Sequence, residues 1–196
     1  MTIKEDLLLA NGAEYANYES SDVILQEGST PKYYFQIVSG IVEITNYHEN
    51  GKEFIHNILS DGQSFCESLL FINKPAPMNA IAKTKWKVLK LSKFDFFNLL
   101  QNNHEVSFDV LRYLSDRLYY KYIMLFNLSL SDPVLRIKKM LEYFKEYNSK
   151  GGTFKIPFTR QQIANLTGLR VETVIRVIKK METSNILKVK NRKIYL

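Results

Sequence analysis

Between residues 22 and 92 the chain alternates short apolar-rich runs with glycine-bearing turns at Glu27-Gly28, Ser39-Gly40, Asn50-Gly51 and Asp61-Gly62. The runs YYFQIV (33–38), IVEITNY (41–47) and KEFIHNIL (52–59) are rich in β-branched and aromatic residues, and glycines 11 or 12 residues apart fit repeated strand, turn, strand units. Asn50-Gly51 is expected to supply the positive φ angles of a tight hairpin. The pattern predicts an antiparallel β domain built as a sandwich, jelly roll or barrel. A last strand carries Val88, Leu89 and Leu91, after which Ser92 is placed to cap a short helix.

The period changes at about His104. As far as Leu128 there is no Gly or Pro, and Leu111, Leu114, Leu118, Tyr122 and Leu125 recur at spacings of 3, 4, 4 and 3. They draw a narrow apolar seam along a helix about 37 Å long at ~1.5 Å per residue. The seam could pack on the chain's own β domain or on a second copy of the helix. A helix this long outreaches a β domain of about 70 residues, which favours the second copy and a dimer. A break follows at Ser129 to Asp132, and Asp132 before Pro133 reads as an N-cap and first-turn proline. The new helix, PVLRIKKMLEYFKEYN, is expected to stop at Ser149-Lys150-Gly151-Gly152. The domain boundary is expected near residue 130.

The stretch TRQQIANLTGLRVETVIRVIKKM (159–181) holds the most specific pattern in the sequence. Thr159 with Gln162 three residues on is a capping box, Ile163, Ala164 and Leu166 form the buried side of the helix it opens, and Gly168 turns the chain. A second helix runs from about Val171, with Val174, Val177, Ile178 and Met181 inward and Glu172, Thr173, Arg176, Lys179 and Lys180 outward. Two short helices joined through a glycine turn, the second polar and basic on its free face, make a helix-turn-helix. On that face Arg176 offers a planar fork matched to O6 and N7 of guanine. Glu172, one turn earlier, can accept from the N4 amine of the paired cytosine. Lys179 and Lys180 suit phosphates, and Thr159, Arg160, Arg170 and Thr173 are expected on the DNA backbone beside them. The alternative for Glu172 and Arg176 is an intrahelical ion pair on a solvated face. The closing residues NILKVKNRKIYL can fold as a basic hairpin, or wing, around Asn191-Arg192.

Charge reinforces the DNA reading. Residues 1–132 carry 12 Lys/Arg against 16 Asp/Glu, whereas residues 133–196 carry 15 against 4, so the last third has a net charge of +11 and a polyanion is its leading partner. The single cysteine, Cys66, excludes an internal disulfide, a four-cysteine iron–sulfur centre and a cysteine-rich zinc finger. His48, His56 and His104 match no metal spacing, and neither a metal nor another cofactor is expected. No apolar run approaches a membrane span, and acidic Glu5 and Asp6 stand where a signal peptide would be basic, so a cytoplasmic protein is expected. Without a Walker glycine loop, a GxSxG motif or a His/carboxylate cluster, an enzyme is the weakest reading.

The stretches FTRQQIANLTGLRVETVIRVIKKM and GQSFCESLLF resemble the Crp/Fnr bacterial transcription regulators over roughly residues 20–196. The resemblance implies an α+β chain. Its parts are an N-terminal antiparallel β roll (jelly roll) of cyclic-nucleotide-binding type over 1–103, a long dimerisation helix and hinge over 104–131, and a C-terminal winged helix-turn-helix over 132–196. It further implies a homodimer on an inverted-repeat double-stranded DNA operator, a small-molecule effector of unknown identity, and RNA polymerase contacts if the protein activates. The run from Gly168 to Thr173 followed by Arg176 is similar to the Fnr branch. By analogy Glu172 and Arg176 would read the G·C pair of a TTGAT-like half-site, with Val171 on a thymine methyl. Arg170 departs from the family's small polar N-cap, and Ile175 from an expected serine.

In relatives that bind cyclic nucleotides, a Gly-Glu-Leu and Arg-Ser cassette holds the ribose and phosphate. Here Cys66-Glu67-Ser68 aligns with the first part, and Ala76 and Pro77 fall where the arginine and serine belong. Cys66, Glu67 and Ser68 are the candidate effector pocket. With no cation for the phosphate and no N–H on Pro77, cAMP and cGMP are not expected to bind. Cys66 reads as an inert small hydrophobe, with a thiol sensor as the alternative. A rival reading of the whole chain is a small-molecule-binding or scaffold protein whose winged helix contacts protein or RNA.

Overall fold

The computed structural model describes residues 3–148 and 152–196. Seven helices and ten strands run in the order α1 (Glu5–Ala10), β1 (Glu14–Tyr18), β2 (Val23–Leu25), β3 (Tyr33–Ser39), β4 (Val42–Tyr47), β5 (Glu53–Leu59), β6 (Ser64–Phe65), α2 (Glu67–Ile72), β7 (Asn79–Ala82), β8 (Trp86–Ser92), α3 (Lys93–Asn102), α4 (His104–Ser129), α5 (Pro133–Asn148), α6 (Arg160–Thr167), α7 (Val171–Thr183), β9 (Lys188–Lys190) and β10 (Lys193–Tyr195) among the described residues. They gather into two compact units that divide within α4, one ending at Arg117 and the other beginning at Leu118.

In the first unit two four-stranded antiparallel sheets, ordered β1-β8-β3-β6 and β2-β7-β4-β5, enclose one core. Alternation along β3 decides the layers. Phe35 and Ile37 join Val42, Ile44, Leu59, Ala80, Trp86 and Val88 between the sheets. Tyr34 faces the other way into a second cluster with Leu8, Leu89, Leu91, Phe96, Leu99 and Val110, where the outer helices cover the sheet. This is the jelly-roll arrangement the family resemblance implies, one of the three the strand pattern allows. Gly40 makes the β3–β4 turn possible, since at its φ of +116° a Cβ would lie 2.2 Å from the Trp86 Cβ. Ser92 caps α3 as expected, accepting from the Asp95 amide at 3.1 Å.

The Asn50-Gly51 hairpin differs from expectation. Only Gly51 takes a positive φ, +78°, while the Gly51 amide donates to the His48 carbonyl at 2.8 Å and His48 N–H to Lys52 at 2.9 Å. This is an ordinary turn followed by a single left-handed glycine, a longer loop that needs one positive φ rather than two.

In the second unit α5, α6 and α7 pack through Ile137, Met140, Leu141, Ile163, Ala164, Leu166, Val174, Val177, Ile178 and Met181, all buried. Asp132 caps α5 by accepting from the Val134 amide at 2.9 Å. The expected stop of α5 at residues 149–151 lies outside the described residues. The β9–β10 hairpin is extended by Phe154, which exchanges backbone hydrogen bonds with Leu196 at 2.8 and 2.9 Å.

Candidate nucleic-acid interface

The helix-turn-helix is assembled from local signals. Gln162 N–H donates to Thr159 Oγ1 at 3.1 Å, and Thr159 N–H donates to Gln162 Oε1 at 2.9 Å, so both parts of the capping box form. Gly168 ends α6 at φ +68°, and the Leu169 amide returns to the Ala164 carbonyl at 3.1 Å. Arg170 then enters α7 in an extended conformation and supplies no side-chain cap.

α7 is sharply two-sided. Val174, Val177, Ile178 and Met181 are buried, whereas Glu172, Ile175, Arg176, Lys179 and Lys180 are exposed, and Val171 and Thr173 lie half-buried at the edges. Among the described residues no ion pair joins Glu172 to Arg176, so the two side chains stand one turn apart with their polar ends free for an outside partner.

The expected backbone-contacting residues divide. Lys179, Lys180 and Arg170 are exposed, as is Thr159, whose hydroxyl also caps α6. Arg160 gives one guanidinium N–H to the Arg192 carbonyl, tying α6 to the wing and leaving its other donors unengaged among the described residues. The wing turns through Asn191 and Arg192 at φ +49° and +61°, the paired positive angles of a two-residue hairpin. Lys188, Lys190, Arg192 and Lys193 are exposed along it.

Arg136 is a contributor that sequence reasoning missed. Its Nη1 donates to the Thr167 carbonyl at 3.0 Å and its Nε to the Leu130 carbonyl at 3.0 Å, so it satisfies the last turn of α6 and the start of the α4–α5 connection together. Nothing in the spacing of PVLRIKK separates it from a solvated arginine.

In the β roll, Cys66 and Glu67 are buried, while Ser68 is exposed on the free side of α2. Cys66 sits at φ +66°, a left-handed conformation that glycine adopts freely and cysteine does not. Burial pushes its thiol well above the usual range, so almost none of it is thiolate at neutral pH. Glu67 Oε1 lies 3.7 Å from Arg117 Nη1, and Glu67 Oε2 is buried with no hydrogen-bond partner among the described residues. The Arg117 guanidinium, brought in by α4, also donates to the Ser64 carbonyl at 2.9 Å and to Tyr113 Oη at 3.3 Å. Tyr113 O–H donates to the same carbonyl at 2.9 Å. Burial raises the Glu67 carboxyl above the ordinary carboxylate range, an effect Arg117 offsets only in part. At the two aligned phosphate positions, the Ala76 amide is spent on the Ser29 carbonyl at 2.8 Å, and Pro77 has none.

Along α4 the expected seam splits. Leu111, Leu118, Tyr122 and Leu125 are each more than half exposed, but Leu114 packs partly buried against the outer cluster of the β roll. Phe108 is exposed as well, which gives an outward row of 108, 111, 118, 122 and 125 with Ser115 between. Those positions step by 3 and 4 in strict turn, a seven-residue repeat. The opposite face carries Val110 and Tyr113 in the first unit and Tyr120, Met124 and Asn127 in the second, all buried.

Comparison with known proteins agrees with this architecture. The sequence model of the cyclic nucleotide-binding domain matches residues 15–103, and that of the Crp-like helix-turn-helix domain matches residues 135–196. The chain is 27% identical over 175 residues to the cAMP-activated global transcriptional regulator CRP of Haemophilus influenzae, across 87% of this chain and 78% of that protein. A CooA variant from Carboxydothermus hydrogenoformans superposes with a TM-score of 0.84 at 18% identity, covering 100% of this chain and 87% of that one. A transcriptional regulator of the CRP/FNR family from Thermus thermophilus superposes at 0.70 with 22% identity over 93% of each chain. No helix among the described residues is long and apolar enough to cross a membrane. With both domains matched one after the other, and a regulator of this kind aligned along most of its length, the chain belongs to the Crp/Fnr family of DNA-binding transcription regulators.

Proposed function

We propose that the protein is a cytoplasmic homodimer that recognises an inverted-repeat operator through α7 of each protomer and answers to a signal other than a cyclic nucleotide. The observation that carries this reading is the division of α7 into a buried apolar face and an exposed face bearing Glu172, Arg176, Lys179 and Lys180. Arg176 takes guanine and Glu172 the paired cytosine of a TTGAT-like half-site, and Val171 meets a thymine methyl. Thr159, Arg160, Arg170, Thr173, Lys179 and Lys180 hold the phosphates.

The outward row on α4 is the dimer seam, since an exposed seven-residue apolar repeat on a 26-residue helix matches a second copy of itself. Two-fold symmetry then sets the half-sites about one helical turn, ~34 Å, apart. The work divides as sensor over 1–103, dimer helix and hinge over 104–131, and DNA-binding domain over 132–196. Cyclic nucleotide is excluded because residues 76 and 77 offer the phosphate neither a cation nor a free amide.

Selection of duplexes from a random library with the full-length protein is expected to return an inverted repeat with a G·C pair in each half-site, bound less tightly as salt rises. Equal affinity for selected and scrambled duplexes at moderate salt would overturn the reading. Leu118→Glu combined with Leu125→Glu is expected to sediment as a monomer. Its operator affinity should fall by roughly 10²–10⁴, the loss of one of two linked contacts. A dimer that survives this change removes the seam. Calorimetry with cAMP is expected to register no binding, and micromolar affinity would restore the cassette.

A further inference from the structure

Ile175 is 53% exposed on α7, whereas Val174, Val177, Ile178 and Met181 are nearly inaccessible. A β-branched residue is a mediocre helix former, and an isolated apolar side chain gains nothing from water, so neither helix stability nor packing within the domain accounts for it. Its place on the helix is specific. Glu172, Arg176 and Lys180 form one row at i, i+4 spacing, and Val171, Ile175 and Lys179 form the adjoining row on the same exposed side. Ile175 is thus flanked by the side chains assigned to base reading and by the lysines assigned to phosphate.

Ile175 and Arg176 differ by ~1.5 Å along the helix axis, less than the ~3.4 Å rise of one base pair, so both meet the same or an adjacent step. Base edges in the major groove are donors and acceptors with one exception, the C5 methyl of thymine. An isoleucine pressed on an amine or a carbonyl desolvates it without offering a partner, whereas on the methyl it removes only apolar surface from water. We infer that Ile175 is a specificity-determining residue of the DNA site, selecting a thymine within one base-pair step of the G·C pair read by Arg176. The inference rests on α7 being the base-reading helix.

Deoxyuridine tests it, because it differs from thymidine only by the missing methyl. Thymines of a duplex selected by the full-length protein are replaced one at a time. The wild-type protein is expected to bind about fourfold more weakly at one thymine beside the G·C pair, the loss attached to one buried methyl. Ile175→Ala should bind the two duplexes equally there while keeping its preference for G·C and its unfolding midpoint. Wild-type indifference to uracil at every thymine, or an unchanged penalty in Ile175→Ala, overturns the inference. Indifference of the wild type to the G·C pair itself, scored at a different position of the same duplex, overturns the reading of α7 and this inference with it.

Discussion

Glu67 and Glu172 each stand in the first turn of a helix, where a carboxylate is favoured by the helix dipole, and each lies in a stretch that resembles the same family. Their surroundings are opposite. Glu67 is 2% exposed, faces Arg117 at 3.7 Å and leaves one oxygen without a partner among the described residues. Glu172 is exposed on a helix whose other charges are also displayed. In the β roll Glu67 and Arg117 are internal fittings, joining α2 and β6 to the long helix. In the helix-turn-helix unit Glu172 and Arg176 lie exposed on a helix held in place by caps and apolar packing. Substitutions on the two sides should therefore fail in different assays.

Arg117→Ala gives the largest expected effect. It strands Glu67 in the core and removes the bridge to Ser64 and Tyr113, a change expected to lower the stability of the first unit by about 3 kcal/mol in urea unfolding. That is the low end for a buried pair, because the separation is long and the carboxyl can escape by taking a proton. The ratio of cognate to scrambled DNA affinity in the folded fraction should stay constant. A loss below about 0.5 kcal/mol would put Arg117 among ordinary surface residues and break the contrast.

Arg176→Ala comes next and should fail in the other assay. Discrimination between G·C and A·T at the pair it reads is expected to drop by about 1–3 kcal/mol, as measured by competition, while the unfolding midpoint remains unchanged. Arg176 is exposed with no ion pair among the described residues, so its removal leaves no buried group unsatisfied. Unaltered discrimination would mean that the exposed face of α7 is only a solvated surface.

The same contrast explains what could be read from the sequence. The helix-turn-helix was legible because each of its signals is local: Thr159 and Gln162 cap within three residues, Gly168 turns at one position, and the apolar face of α7 repeats every turn. The strands of the β roll were legible for the same reason, through glycine spacing and alternation. Arg117, Tyr113 and Ser64 were not, since 49 to 53 residues separate the partners and only the fold brings them together. Spacings of 3 and 4 fit both 114 and 115 after Leu111, so the apolar pattern alone draws Leu114 into the seam. Deciding between them required knowing which side of α4 the β roll covers. Arg136 was invisible because its acceptors are backbone carbonyls, which carry no sequence signal.

Glu67→Gln sharpens the comparison with the smallest effect, through its pH dependence. Burial holds the Glu67 carboxyl above the value it has in the unfolded chain, ~4.3. From that value upward to its folded pKa, the native state binds more protons at this site than the unfolded state does. Ionisation of Glu67 therefore lowers stability as pH rises through the window, and the contribution is most favourable on its acid side. Glutamine cannot titrate, so the unfolding midpoint of Glu67→Gln relative to wild type should rise as pH climbs from about 4 and level off once Glu67 is ionised in the folded protein. If instead wild type gains on Glu67→Gln with rising pH, Arg117 outweighs burial and holds the carboxyl low. The β-roll pair would then be a net stabilising ion pair rather than a buried charge tolerated for its placement.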